Sequence, residues 1–276
     1  LEKVFNIKDI KNVFLFKHFL NFTLFFISSC FFYKILKNRF SSQLSVLGLI
    51  FLILSPRIFA ESFYNMKDLV FLSFFIISLY FAINLTNNYS YKNAIKAAIT
   101  SSLVLLVKIL GIIVPCIILF FFTFKSLDNL NFFKKNILII IIYLMILFIF
   151  TISFWPLLWS NPIGNFFYVL KSFSSYDWRG GIYYFGEYIS AMNIPWHYPV
   201  VWISISTPIL YIVTFVFGSI LIFLKIFSRF INLSKKNPNK DVWINENERI
   251  DFIFFMIFYF TLFLIIGLNS TLYTGW

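Results

Sequence analysis

The stretch AAITSSLVLLVKILGIIVPCIILFFFTF, from Ala97 to Phe124, decides how the rest of the chain is read. It is apolar and long enough for one membrane-spanning helix, yet Lys108 sits near its middle, with Gly111 and Pro115 just beyond. A lysine at bilayer mid-depth costs about 2.5–3.5 kcal/mol on insertion scales. Two short helices that meet near Lys108 avoid that cost, because the ammonium then lies at the membrane surface. We adopt the paired reading, and it sets the direction of every later crossing.

Outward from this stretch, further apolar runs appear on both sides. Phe19–Tyr33, Leu44–Leu54 and Leu69–Ile83 precede it; Ile137–Phe154, Val200–Leu224 and Phe252–Gly267 follow it. Runs of about 20 apolar residues are long enough to cross a hydrocarbon core. Of 276 residues, 60% are hydrophobic and only 12% charged, against roughly 25% charged in a soluble domain. Too few polar side chains remain to cover a water-facing surface. The expected fold is all-α: a polytopic transmembrane helix bundle, one domain over residues 1–276, with an external loop at 155–198. No internal repeat or inverted half is visible, which weighs against a transporter.

The net charge of +12 raises the question of nucleic acid. Lys and Arg fall instead in short segments between apolar runs, where they meet anionic headgroups and fix orientation. No basic stripe with interleaved polar surface exists. With the paired reading, Lys34–Arg39, Lys92–Lys96, Lys125–Lys135 and Lys225–Arg249 all fall on the cytoplasmic side. Arg57–Asp68, Lys108, the 155–198 loop and Tyr273–Trp276 fall outside. A single span over 97–124 would send Lys225–Arg249 outside. Cys30 and Cys116 lie in apolar runs and read as small packing residues. The chain begins at Leu1 and ends at Trp276 on a polar turn, so we expect a piece of a longer protein. There is no P-loop, dinucleotide fingerprint, HExxH or paired CxxC, so no cofactor is expected, and a divalent metal is left open.

Two segments can carry chemistry. In SPRIFAESFYNMKD, Ser55–Asp68, a helix would put Arg57 and Glu61 on one face, with Asn65 and Asp68 near it. Such groups at a membrane surface bind a charged substrate or act as acid–base groups; equally, they form a salt-bridge network that anchors two helices. The long loop holds WPLLWSNP (155–162), YDWRGG (176–181), GEY (186–188) and IPWHY (194–198). Its Trp and Tyr suit either an aromatic belt at the membrane surface or a platform for a sugar or lipid. Asp177, Arg179, Glu187 and His197 favour a site. His197 is a candidate acid–base or binding group, although a lone histidine also serves structure.

Several short pieces, in order, resemble the GT-C fold glycosyltransferases that use polyprenyl-phosphate sugars, near family 39 (protein O-mannosyltransferase and lipid A aminoarabinose transferase types). They are Lys17–Phe22, Ser55–Arg57 with Tyr64–Asp68, Lys108–Gly111, Trp155–Trp159, Gly186–Glu187, Pro195–Tyr198, Thr207–Pro208 and Leu272–Trp276. The resemblance implies transfer of a sugar from a polyprenyl-phosphate donor to an acceptor on the external face, in a bacterial plasma membrane. Asp68 and Glu61 are then candidate catalytic carboxylates, and Arg57, Asn65, Lys67, Lys108, Arg179, Glu187, Trp196, His197 and Tyr198 candidate substrate contacts. The family's main catalytic acid lies in an earlier external loop, which we expect upstream of Leu1. Lys108 stands where relatives often carry arginine, keeping the charge but losing the bidentate grip on phosphate. The rival readings are a transporter or lipid flippase, and a membrane scaffold without activity.

Overall fold

The computed structural model describes residues 9–128, 130–174, 180–190, 193–233 and 246–268. The chain forms two compact units, Leu1–Pro156 and Leu157–Trp276. Among the described residues it is helical apart from one two-stranded hairpin. Among the described residues, six helices are long and apolar enough to cross a bilayer, or seven if a bent pair counts as one crossing. The chain is a multi-pass membrane protein.

The first unit opens with α1 (Ile10–Lys37), which starts where the Asp9 side chain accepts from the Lys11 amide and ends on Lys34 and Lys37. Then come α2 (Ser42–Leu54) and α3 (Pro56–Tyr64), bent by 63° at Ser55. Pro56 sits at the start of α3, where its missing N–H costs nothing. The 13 residues of α2 reach only about 20 Å, so α2 does not cross a full bilayer core without α3. The unit continues with α4 (Asp68–Asn87), α5 (Tyr91–Val107), a 3-10 turn (Ile109–Ile112), α6 (Ile113–Asp128) and α7 (Leu130–Phe154).

The break expected at Lys108 is present: this residue is extended, φ −147° and ψ 139°. The Gly111 amide donates to the Lys108 carbonyl at 2.9 Å and closes the turn. It closes so tightly that a Cβ on Gly111 would lie 2.7 Å from the Val104 carbonyl carbon.

Helices α4 and α5 are antiparallel and tied at three depths. Lys108 pairs with Asp68 at one end. The Ser78 and Ser101 hydroxyls bond at 3.2 Å in the middle. At the other end the Asn93 amide donates to the Asn84 carbonyl at 3.3 Å and the Asn88 carbonyl at 2.9 Å. The 17 residues of α5 therefore traverse nearly the same depth as the 20 of α4. Close approach is possible because the buried face of α5 is small: Ala94, Ala97, Ala98, Ser101 and Ser102. The Tyr143 hydroxyl donates to Ser101 Oγ at 3.2 Å and adds α7 to the pair. Leu85, Val114, Ile118, Ile140 and Tyr143 form the centre of this packing.

The two ends of the unit differ in charge. One end gathers Lys34 over Phe31, Lys96 over Phe81 and Lys125 over Phe132. Phe31 and Phe81 touch each other, centroids 5.7 Å apart, so Lys34 and Lys96 share a neighbourhood. Arg57–Asp68 and Lys108 lie at the opposite end, as the paired reading requires.

The second unit holds a 3-10 turn at Pro156–Leu158, α8 (Pro162–Ser174), strands β1 (Gly181–Tyr184) and β2 (Glu187–Ser190), α9 (Tyr198–Ser206), α10 (Ile209–Leu233) and α11 (Glu246–Leu268). Phe215 of α10 packs on Phe258 of α11, centroids 4.4 Å apart. Two features differ from the sequence reading. The 155–198 segment is not irregular loop; it contains a helix and a hairpin. The run Val200–Leu224 is not one helix, since α9 stops at Ser206 and Thr207 is extended (φ −106°, ψ 132°). Pro208 is the cause: its ring disfavours helical backbone at the residue before it. Cys30 and Cys116 are both free and exposed, on the outer surface of the helices rather than in the core.

Candidate functional site

The α3–α4 corner gathers the ionisable residues of SPRIFAESFYNMKD. On α3, Arg57 Nε donates to Glu61 Oε1 at 3.0 Å, the i,i+4 pair that the spacing predicts. Arg57 is about half exposed, so the pair contributes little stability by itself.

Asn65 joins this pair to α4. Its amide nitrogen donates to Glu61 Oε2 at 3.1 Å and to Asp68 Oδ2 at 3.2 Å. Its carbonyl oxygen accepts from the backbone amides of Lys67 at 3.1 Å and Asp68 at 2.9 Å. One side chain thus caps the first turn of α4 and holds two carboxylates together. Asp68 opens α4, where the helix dipole favours a negative group. Its other oxygen meets the Lys108 ammonium, which arrives from the break after α5 and also lies 5.8 Å from the Phe71 ring centroid. Lys67 is exposed at the rim.

The corner is fastened to α1 from below. Asn21, buried on α1, donates its amide to the Ser62 carbonyl at 2.9 Å, and Phe22 stacks on Phe63 with centroids 5.6 Å apart. The Lys17–Phe22 piece therefore supports the corner by packing, a role its sequence did not announce.

Arg57, Glu61, Asn65, Asp68 and Lys108 form one connected chain of contacts. Two cations face two carboxylates, so the cluster is balanced in charge. Both readings of the sequence are served by this geometry: the network does anchor α3, α4 and α5, and it puts ammonium, guanidinium and carboxylate groups together at one end of the unit.

In the second unit, the candidates on the hairpin and α9 meet through Tyr184, which the sequence reading did not single out. Tyr184 pairs with Glu187 across the turn. Its ring lies 5.7 Å from His197 and 5.2 Å from Tyr198 by centroids. Trp196 stands edge-on to His197 at 5.6 Å and is exposed. Tyr198 is buried and stacks on Trp202, 6.0 Å and 11° between planes. Glu187 is exposed at the turn. Desolvation pushes the Tyr184 and Tyr198 phenols up, and the neighbouring Tyr184 raises Tyr198 further, so both hydroxyls stay protonated. The signal for Tyr184 was the alternation in GIYY–FG–EYIS, where Ile182, Tyr184 and Ile189 turn inward. Arg179, Asp177 and Tyr273–Trp276 lie outside the described residues.

Among the described residues, no three His, Cys, Asp or Glu side chains gather as a metal site. Comparison with protein-family models, curated proteins and solved structures finds no match to this chain.

Proposed function

We propose that the chain is a glycosyltransferase of a bacterial plasma membrane, moving a sugar from a polyprenyl-phosphate donor to an acceptor on the external face. The observation that carries this reading is the charged corner itself. Arg57, Glu61, Asn65, Asp68 and Lys108 are concentrated at one end of the helix bundle, opposite the end that gathers the lysines. The short motifs that resemble GT-C enzymes add support, since three of them build or brace this corner.

In this reading the donor lipid lies in the bilayer and its phosphate reaches the surface beside Lys108, Lys67 and Arg57. Those cations offset charge on the phosphate as it leaves. The acceptor hydroxyl oxygen bonds to the anomeric carbon while the carbon–oxygen bond to phosphate breaks. The hydroxyl proton passes to a carboxylate, Asp68 or Glu61, and polyprenyl phosphate departs with the bond electrons.

A transporter or lipid flippase would carry unpaired polar groups at mid-depth in several spans. In the first unit the hydroxyls of Ser78, Ser101 and Tyr143 bond one another at mid-depth, and the buried hydroxyls on its described helices without a hydrogen bond, Ser73 on α4 and Thr151 on α7, are two rather than a lined path. The test is binding of a short-chain polyprenyl phosphate to purified protein. Lys108→Met is expected to weaken it at least tenfold, and Lys108→Arg to retain it; equal affinity in all three proteins rejects the role. Movement of a labelled donor across proteoliposomes without release of polyprenyl phosphate would favour the flippase.

A further inference from the structure

We infer that α8 and the β1–β2 hairpin are seated in the headgroup layer of the bilayer, with their outward aromatic side chains in lipid. On α8 the exposed positions recur every four residues. Ile163, Phe167 and Lys171 form one stripe, and Gly164, Tyr168 and Ser172 the next. Phe167 is 63% exposed and Tyr168 67%, as open as Phe217 at 65% on the outward face of the span α10. The polar group on the other side is already engaged: the Asn165 amide donates to the Leu157 carbonyl at 2.6 Å and to Ser160 Oγ at 3.1 Å. A helix with an outward apolar stripe ending in lysine suits the plane of a membrane surface, with the lysine reaching up to the headgroups.

The hairpin repeats the pattern with period two. Ile182, Tyr184 and Ile189 turn inward, while Tyr183 and Tyr188 turn outward with rings 5.4 Å apart. Phe185 and Gly186 make the turn with φ 50° and 86°. Two consecutive left-handed residues ordinarily call for Asn and Gly; a bulky apolar residue in the first position is strained. The chain accepts that strain and places the Phe185 ring at the tip, 78% exposed.

Lipid is the occupant for a reason of continuity. Tyr184 fastens the hairpin to His197 and Tyr198, and α9 passes into α10 through Thr207 and Pro208 alone. The span α10 exposes Ile209, Leu210, Val213, Phe217 and Leu221, an apolar surface of a helix long enough to cross a bilayer and suited to acyl chains. The hairpin is thus joined to that span through α9 alone, with its outward rings left uncovered. Tyr and Phe beside a lysine are also the residue types the headgroup layer favours.

The test uses nitroxide labels on Phe167→Cys and Phe185→Cys, with Cys30 and Cys116 replaced by alanine, in proteoliposomes. Collision with oxygen, which partitions into lipid, is compared with collision with a water-soluble nickel chelate. Leu221→Cys is the lipid reference and Lys134→Cys the water reference. Both labels are expected to favour oxygen, as Leu221 does. A water-like ratio at either position overturns the inference, and so does exclusion of both reagents, which would mean that protein covers the surface. Should a label disturb folding, the unaltered chain is reconstituted with a lipid carrying a photoreactive group near its headgroup. Cross-links within 159–171 and 182–188 are then expected, and their absence beside cross-links to α10 overturns it.

Discussion

An ammonium group at a break between two transmembrane helices needs a counter-charge, and Asp68 supplies it for Lys108. The pair is only about a fifth exposed, so removing one partner leaves the other poorly solvated. Lys108→Met and Asp68→Asn are each expected to cost about 1–3 kcal/mol, the range for a group left unsatisfied. Lys108→Met combined with Asp68→Asn should recover much of that loss. Thermal unfolding of the four proteins in detergent measures this coupling; additive losses would show that the two residues act apart. The same pairing makes Asp68 a competitor of any phosphate that binds Lys108. Asp68→Asn should therefore tighten polyprenyl-phosphate binding by about tenfold, or about 1.4 kcal/mol, even where it abolishes transfer. Gly111 acts on the same lysine through the backbone. A Cβ there meets the Val104 carbonyl carbon and the Leu105 nitrogen, backbone atoms that cannot move aside as a side chain would. Gly111→Ala is expected to lower stability by about 1–3 kcal/mol, and to weaken phosphate binding because the turn that places Lys108 shifts.

Among the elements, α5 shows what holds a short helix across the unit. Its register on α4 is set by polar contacts at both ends and one hydroxyl pair between, and α7 joins through the same Ser101. Ser101→Ala and Tyr143→Phe should each cost about 0.6 kcal/mol, the mean for interhelical hydrogen bonds in a membrane. The double variant should cost less than their sum, because Ser101→Ala already removes the partner of Tyr143; full additivity in unfolding measurements would deny the bond. The break before α6 was legible in the sequence because a charge, a glycine and a proline coincide there. The break before α10 was not read, because Thr207 and Pro208 sit in an apolar run whose total length already suited a span. The hairpin was hidden for another reason: in GIYYFGEYIS nearly every residue is aromatic or apolar, so the alternation that marks a strand carries little contrast. The Arg57–Glu61 contact followed from helical spacing. The Lys108–Asp68 contact joins residues 40 apart, and only the antiparallel packing of α4 on α5 brings them together.

At the scale of the whole molecule, the distribution of charge between the two ends of the helices tests the topology. Lys34, Lys96 and Lys125 gather at one end of the first unit, while Asp68 and Lys108 compensate each other at the opposite end. Uncompensated lysines mark the cytoplasmic side. The position most sensitive to this argument is Lys134, near the start of α7. If residues 97–124 made one crossing, Lys134 would emerge on the same side as Lys67. The 17-residue α5 is shorter than the six helices counted as crossings, yet it runs beside α4 from Asn93 to Lys108. With α5 and α6 as two crossings that meet at Lys108, Lys134 returns to the side of Lys34. Both lysines are exposed, so cysteine at either place is open to reagent. With Cys30 and Cys116 replaced, Lys67→Cys should react with an impermeant maleimide on intact cells. Lys134→Cys should react only after the membrane is opened. Reaction of both from outside would mean that the chain crosses once over 97–124, and the Lys108 break would then be a kink inside the bilayer rather than a turn at its surface.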